Sequence, residues 1–469
     1  MASIPLLSGI YTDERADFRQ SLPRNLVPVL RDTGISKGYI RSADGLATLT
    51  TGPGTDRGGI NWRGACIRVM GSSLVSVSAA GVITTLGDVG DGGRCRFDYG
   101  FDRLAIASGA RLWYWDGTTL TQVTDPDLGQ CLDVMWVDGY FMTTDGEFVV
   151  TTELTDPTAV LTTKYGSSEA DPDPVVAVRK LRNEPHVINR YTVEVFQNVG
   201  GTGFPFQRVP GAIYERGAIG THMVAPFLDS LAFVGSKRNE PPAVWILAGG
   251  STAAISSAEV DQVLRSYTEA QLADCHIETR VEDKRQTLLI HLPDQTLAYD
   301  GAMSQVVGEP IWYTLGSSKV EQAQYRAQGL VWCDDRWVFG DPQSSVLGVY
   351  DRTTDRHYSQ PIGWEFGTVA LYSEDRNVIV HELLLTALPG RAPLGADPVV
   401  WHSYSRSGRA GDFGQERPSK AGKTGETATN IQWRRCGFAR SWRVERFRGV
   451  DTGPVAFAKI EAEVEVLNV

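Results

Sequence analysis

From Arg94 the chain reads RCRFDYG (94–100), FDRLAIASG (101–109), ARLWYWDG (110–117) and TTLTQVTD (118–125). From Gln130 it continues QCLDVMWVDG (130–139) and YFMTTDGEFVV (140–150). Leu104 and Ile106 alternate with Arg103 and Ala105, and Leu112 and Tyr114 alternate with Trp113 and Trp115, a period of two that belongs to a strand. The breaks at Asp116-Gly117, Asp138-Gly139 and Asp145-Gly146 are dipeptides that reach the positive φ angles of a tight hairpin. About four short antiparallel strands, followed almost at once by the same pattern, predict a blade of a β-propeller.

The same rhythm extends in both directions at a spacing of ~40–50 residues per unit. GLATLTTG, GINWRGACIRVMG, SLVSVSAAG and VITTLG make a first blade. The stretches at 93–125 and 131–160 follow as the next two. VVAVRKL to PFQRV, HMVAPFLDSLAFVG with PAVWILAGG, HIETRVEDK to PIWYTL, and YRAQGLVWCDDRWVFGD with SVLGVYD bring the total to about seven. The expected fold is therefore all-β: an extended arm over 1–41, a propeller over 42–361 and a β-sandwich over 362–469. One helical insertion, 256–274, interrupts the propeller. There Ser256 with Glu259 and Thr268 with Gln271 have capping-box spacing, and Val260, Val263 and Leu264 recur at helical spacing. In the closing run Ile460, Ala462, Val464 and Val466 alternate with Lys459, Glu461, Glu463 and Glu465, which predicts a strand with one face in the core.

Of the 469 residues, 42% are hydrophobic and 22% charged, enough for a sizeable core. The net charge of −11 argues against a dedicated nucleic-acid binder, which needs clustered Lys and Arg. That charge is uneven. From Trp401 to Arg448 there are eleven basic and four acidic residues, a local charge of +7. Arg434, Arg435, Arg440, Arg443, Arg446 and Arg448 are the candidates for a partner-facing patch.

The six cysteines stand singly, without CxxC, and read as buried thiols of a reducing compartment. The seven histidines show neither HExxH nor a close partner, so no metal site and no cofactor is expected. The start, MASIPLLSGIYTDERADF, lacks the pattern of a signal peptide, and no apolar run is long enough to span a membrane, which places folding in the cytoplasm. No catalytic residues emerge. Asp334-Asp335 is the best adjacent carboxylate pair, but it falls at a hairpin tip. SRSGRAGDFG (405–414) lacks the aspartate of a sialidase-type turn, AGKTG (421–425) lacks the upstream glycine of a phosphate loop, and no GxSxG occurs. Trp115-Asp116 has no Gly-His upstream and reads as a turn. Trp113, Trp136, Trp312, Trp332 and Trp337 sit in alternating strands and are expected in the core.

EVDQVLRSYTEAQLADC (259–275), with LLIHLPDQTLAYD (288–300), closely resembles the packaged-DNA stabilisation proteins of short-tailed phages, also known as tail accessory or head-completion factors. GYIRSADGLA (38–47), RGAIGTHMVAPFLDSLAFVG (216–235) and WRRCGFAR (433–440) agree with it. The resemblance implies a non-enzymatic virion tail protein, assembled in the host cytoplasm into a sixfold ring below the portal and its adaptor. Its partners would be further copies of itself, the portal–adaptor complex, a tail needle and the tailspikes or tail fibres. Double-stranded DNA would pass its channel without specific binding. The competing expectations are a propeller hydrolase acting on surface glycan, with paired carboxylates near the propeller axis, and a soluble propeller scaffold.

Overall fold

Residues 94–125 form four antiparallel strands, Arg96–Tyr99, Leu104–Ser108, Arg111–Trp115 and Leu120–Gln122, hydrogen-bonded in that order. The computed structural model describes residues 2–4, 9–12, 18–31, 33–372, 376–409, 412–440 and 442–467. Parts of the expected arm and of the 405–414 hairpin therefore lie outside the described residues. The chain divides into two units, one of residues 48–293 with 326–349 and the other of 1–47, 294–325 and 350–469.

In the first unit the four-strand pattern recurs. Blade 1 spans Asp56–Trp62 to Ile83–Asp88, blade 2 is the sheet just described, and blade 3 runs from Asp133–Val137 to Tyr165–Ser167. Blade 4 runs from Val175–Leu181 to Phe206–Tyr214, and blade 5 has five strands from Gly217–Ala218 to Ser251–Ala254. The hairpin His276–Glu282/Arg285–His291 is the sixth element, and Gln328–Cys333 opens the seventh. The inner strands touch in sequence: Asp56–Trp62 meets Arg96–Tyr99, which meets Asp133–Val137, which meets Val175–Leu181. Blade 4 meets blade 5 through Glu184–Asn189 and Gly217–Ala218, and Val224–Phe227 meets His276–Glu282. That hairpin meets Gln328–Cys333, which returns to Asp56–Trp62 and closes a ring of seven.

Both faces of the blade strands are buried. Leu104 and Ile106 pack with Trp62, Ile67, Val69 and Leu74 of blade 1, while Ala105, Ala107 and Tyr114 pack with Val134, Phe141 and Val150 of blade 3. The strand period therefore sorts residues between two neighbouring blades. Each fully buried Leu or Ile in these layers contributes ~1.5–3 kcal/mol.

The strand Gly45–Thr51 does not join blade 1, as its place in the chain suggests. It completes the sheet of Gln328–Cys333, Arg336–Gly340 and Val346–Asp351, and Gly52 N–H donates to Ser345 O at 2.8 Å. A ring of sheets has a first and a last edge, and an early strand paired into the last blade removes both.

The insertion forms helices Ala258–Arg265 and Glu269–Ala273. The first has Ser257, not Ser256, at its N-cap position, with no side-chain cap hydrogen bond, so the expected Ser256–Glu259 capping box does not form; Ser256 Oγ accepts the Val244 N–H at 3.3 Å. The second has the expected capping box of Thr268 and Gln271. Buried Val260 and Leu264 face inward from the first helix, which lies against Ala243–Ala248.

The second unit is built around two facing sheets. One orders Leu26–Val29, Tyr39–Ser42, Ala456–Leu467, Asn377–Ala387 and Ile431–Arg434; the other orders Gly363–Gly367, Trp442–Val450, Val399–Ser405 and Arg417–Lys420. Between them lie Leu26, Ile40, Trp364, Phe366, Phe447 and Phe457. Within 1–41, described segments join this unit: Ala2–Ile4 pairs with the last strand, Ala2 opposite Ala462, and Asn25 Nδ2 donates to the carbonyls of Gly316 and Gly363. In the last strand Ile460 and Ala462 are buried, but Val464 and Val466 are 40% and 43% exposed, so the expected core face holds only over the first half of the alternation. A helix not expected from the sequence, Gly301–Val307, is capped by the Asp300 side chain on Met303 N–H.

Candidate functional site

The six arginines expected to form one patch fall into two sets. Arg434 ends the strand Ile431–Arg434 with its side chain 72% exposed, and its nearest charge is Glu382, 3.8 Å away. Arg435 follows in a left-handed conformation, φ 55°, fixed by its N–H on His381 O at 2.6 Å, and its side chain is exposed. Arg440 is exposed as well. Arg417 donates to the carbonyls of both Arg434 and Arg435, and with Arg406, Arg435, Tyr404 and Asp412 it lines a cavity of about 540 Å³.

The other three arginines are engaged within the sandwich. Arg443 is 1% exposed, forks onto Glu445 at 2.5 and 2.9 Å, donates to Cys436 O at 2.8 Å and stacks on Tyr404 at 3.8 Å. Burial alone would raise Glu445. The hydrogen bond from His402 Nε2 at 2.7 Å and the charge of Arg443 outweigh that and hold its carboxyl below the ordinary value. Arg446 and Arg448 both reach Glu416, and Arg446 lies over Phe413. The sequence carried a usable signal: in Trp442–Val450, residues 443, 445 and 447 share a face, and Phe447 is core.

A second concentration of charge lines the inner wall of the seven-bladed ring. Asp133 accepts from Arg96 at 3.2 Å and from Arg179 and the Val178 N–H, while Arg179 donates to Thr221 O. Arg68 forks onto Asp56 at 2.7 and 2.6 Å and donates to Gly329 O. Gly340 is required here, since a Cβ on it would lie 2.2 Å from Asp56 Cβ. Further along the wall His276 and His291 sit directly opposite each other, their rings stacked at 4.4 Å and 18°. Glu278 accepts from His291 Nε2 at 2.7 Å and from the Leu330 N–H at 2.7 Å. Burial, then the charge of Arg94, holds His276 well below the usual histidine value; burial, then Arg96, does the same to His222. Linear spacing concealed this group, because its members meet only through hairpin register.

Asp334 and Asp335 occupy a hairpin tip with φ 51° and 56°. Trp312 is buried as expected, but Trp332 is 47% exposed, because it stands beside that tip. All six cysteines are buried and unbridged.

The family model described as bacteriophage P22 Gp10, beta-propeller, matches residues 2–355, and that of its beta-sandwich matches 363–465. The tail hub protein gp10 of Salmonella phage P22 is 26% identical over 366 residues, covering 74% of this chain and 75% of the relative. Among solved structures, the N-terminal domain of Nup159 (8% identity, 74% of this chain and 98% of that one) gives a TM-score of 0.40. The Neurospora crassa Pan2 WD40 domain (9% identity, 65% and 94%) gives 0.41. Both scores are too low to add to the assignment. With both halves matched in order, the chain belongs to the bacteriophage P22 Gp10 family and is a structural protein of a phage virion tail rather than an enzyme.

Proposed function

We propose that this chain is a hub of a short-tailed phage, assembled as a sixfold ring below the portal and its adaptor. With a tail needle it closes the DNA channel after packaging, and it supports the tailspikes. The observation that carries this reading is the match of both halves to one phage family, with the P22 tail hub protein as a relative. The physical chemistry agrees. A plug under pressure from packaged DNA resists through rigid interfaces, and a closed ring of sheets buried on both faces has little soft edge to yield. The chain's net charge of −11 repels phosphates, so DNA passes an acidic wall without being gripped. Exposed Arg434, Arg435 and Arg440 offer a cationic surface to an acidic face of the adaptor or of a neighbouring copy.

The test is deletion of the gene followed by particle analysis. Heads should fill and then lose their DNA, and complementation in trans should restore retention. Filled heads that stay filled without the protein would remove the plug from the reading.

A further inference from the structure

We propose that the inner wall of the propeller holds a divalent transition-metal ion, of the zinc class, on His276, Glu278 and His291. Two observations carry it. One donor atom from each of the three residues lies within 4.8 Å of the others, all on one hairpin whose register places the two imidazoles face to face. In addition, His276 is only 6% exposed, and its Nε2 is buried with no hydrogen-bond partner.

A buried polar atom left without a partner carries a desolvation penalty that natural structures rarely tolerate, and a ligand removes it. A purely structural role for the three residues explains Glu278, which is satisfied by His291 and Leu330, and leaves His276 unexplained. The donor set is two imidazoles and a carboxylate, which suits Zn²⁺, Co²⁺ or Ni²⁺ rather than the oxygen-seeking Ca²⁺ and Mg²⁺. Metal–ligand bonds near ~2.0–2.2 Å require the donors to draw together to about 3.5 Å. Side-chain rotation supplies that movement while the hairpin backbone stays in place.

The charges around the group decide which ion it accepts. Arg94 is the largest electrostatic influence on His276 after burial, with His291, His222 and Arg96 behind it. The guanidinium groups of Arg94 and Arg96 oppose a dication, and the Glu278 carboxylate is the compensating anion. An ion held here ties both strands of the sixth element to one point. Its role is structural, in keeping with a tail protein that is not an enzyme.

The experiment uses the full chain, freed of metal by a chelator and titrated with Co²⁺ and then Zn²⁺. Co²⁺ should produce the visible absorption of a low-coordinate nitrogen–oxygen site, Zn²⁺ should abolish it at one equivalent, and Zn²⁺ should raise Tm. His276→Gln should remove the absorption, and Glu278→Gln should weaken Co²⁺ binding by at least about tenfold. Absence of both the absorption and the Tm shift in the wild-type chain overturns the proposal without any variant. So does an unchanged spectrum in a folded H276Q or E278Q protein.

Discussion

Replacing Arg443 by methionine tests whether the sandwich depends on its buried ion pair. The substitution keeps much of the side-chain volume but strands Glu445, which is fully buried and loses both hydrogen bonds from Arg443 while keeping the one from His402. Removing one member of a buried pair costs ~3–5 kcal/mol, because the remaining charge is uncompensated. For a unit of this size Tm moves about 2–4 °C per kcal/mol, so the sandwich transition should fall by roughly 10 °C. The assay is thermal and urea unfolding followed by tryptophan fluorescence, since Trp364 and Trp433 lie in the same core. R443M/E445Q removes both charges and should be less destabilised than the sum of the two single variants. Additive losses, or an R443M loss below about 1 kcal/mol, would refute the coupling. The pH dependence has a defined sign. Glu445 is held below its ordinary value when folded, so its contribution is present above the unfolded pKa and is lost as pH falls through the carboxylate range.

Burial, with Asp451 adding to it, pushes the Asp355 carboxyl up to about 6, so folding loses stability as pH rises from the unfolded value to that point. Asp355→Asn should therefore stabilise the chain by on the order of 2 kcal/mol at pH 8 and by little at pH 4; equal effects at both would contradict the shift. Gly340→Ala forces a methyl group into Asp56 and should cost about 1–3 kcal/mol in denaturant unfolding, whereas wild-type stability would mean that the first and last blades are not tightly apposed. Charge reversal at Arg434 and Arg435 should leave unfolding stability unchanged within about 0.5 kcal/mol, yet abolish sedimentation with purified portal–adaptor complexes. Persistent binding would show the patch to be solvated surface.

Much of the propeller can be read directly because hairpin chemistry is local: Asp116-Gly117 and Asp138-Gly139 announce their turns within two residues. Pairing at long range leaves no such mark. Gly45–Thr51 is followed at once by the strands of blade 1, and nothing within it says that its sheet partner lies in the last blade. Charge is similarly ambiguous. Arg434 and Arg443 are alike in composition, and only the shared face of Arg443 with Phe447 separates a core guanidinium from an exposed one. His276 and His291 are 15 positions apart in the chain, and the hairpin register alone brings them together. The helix Gly301–Val307 is too short to show a helical period.

The late pairing of Gly45–Thr51 sets a schedule for the nascent chain. Its partners emerge from the ribosome about 300 residues afterwards, a delay of roughly 15–60 s at ~5–20 residues per second. Through that interval the first blade has no neighbour on one side, and an unmatched strand remains open to capture by another copy. Correct closure of the ring therefore depends on translation speed and on chaperone attendance as much as on final stability.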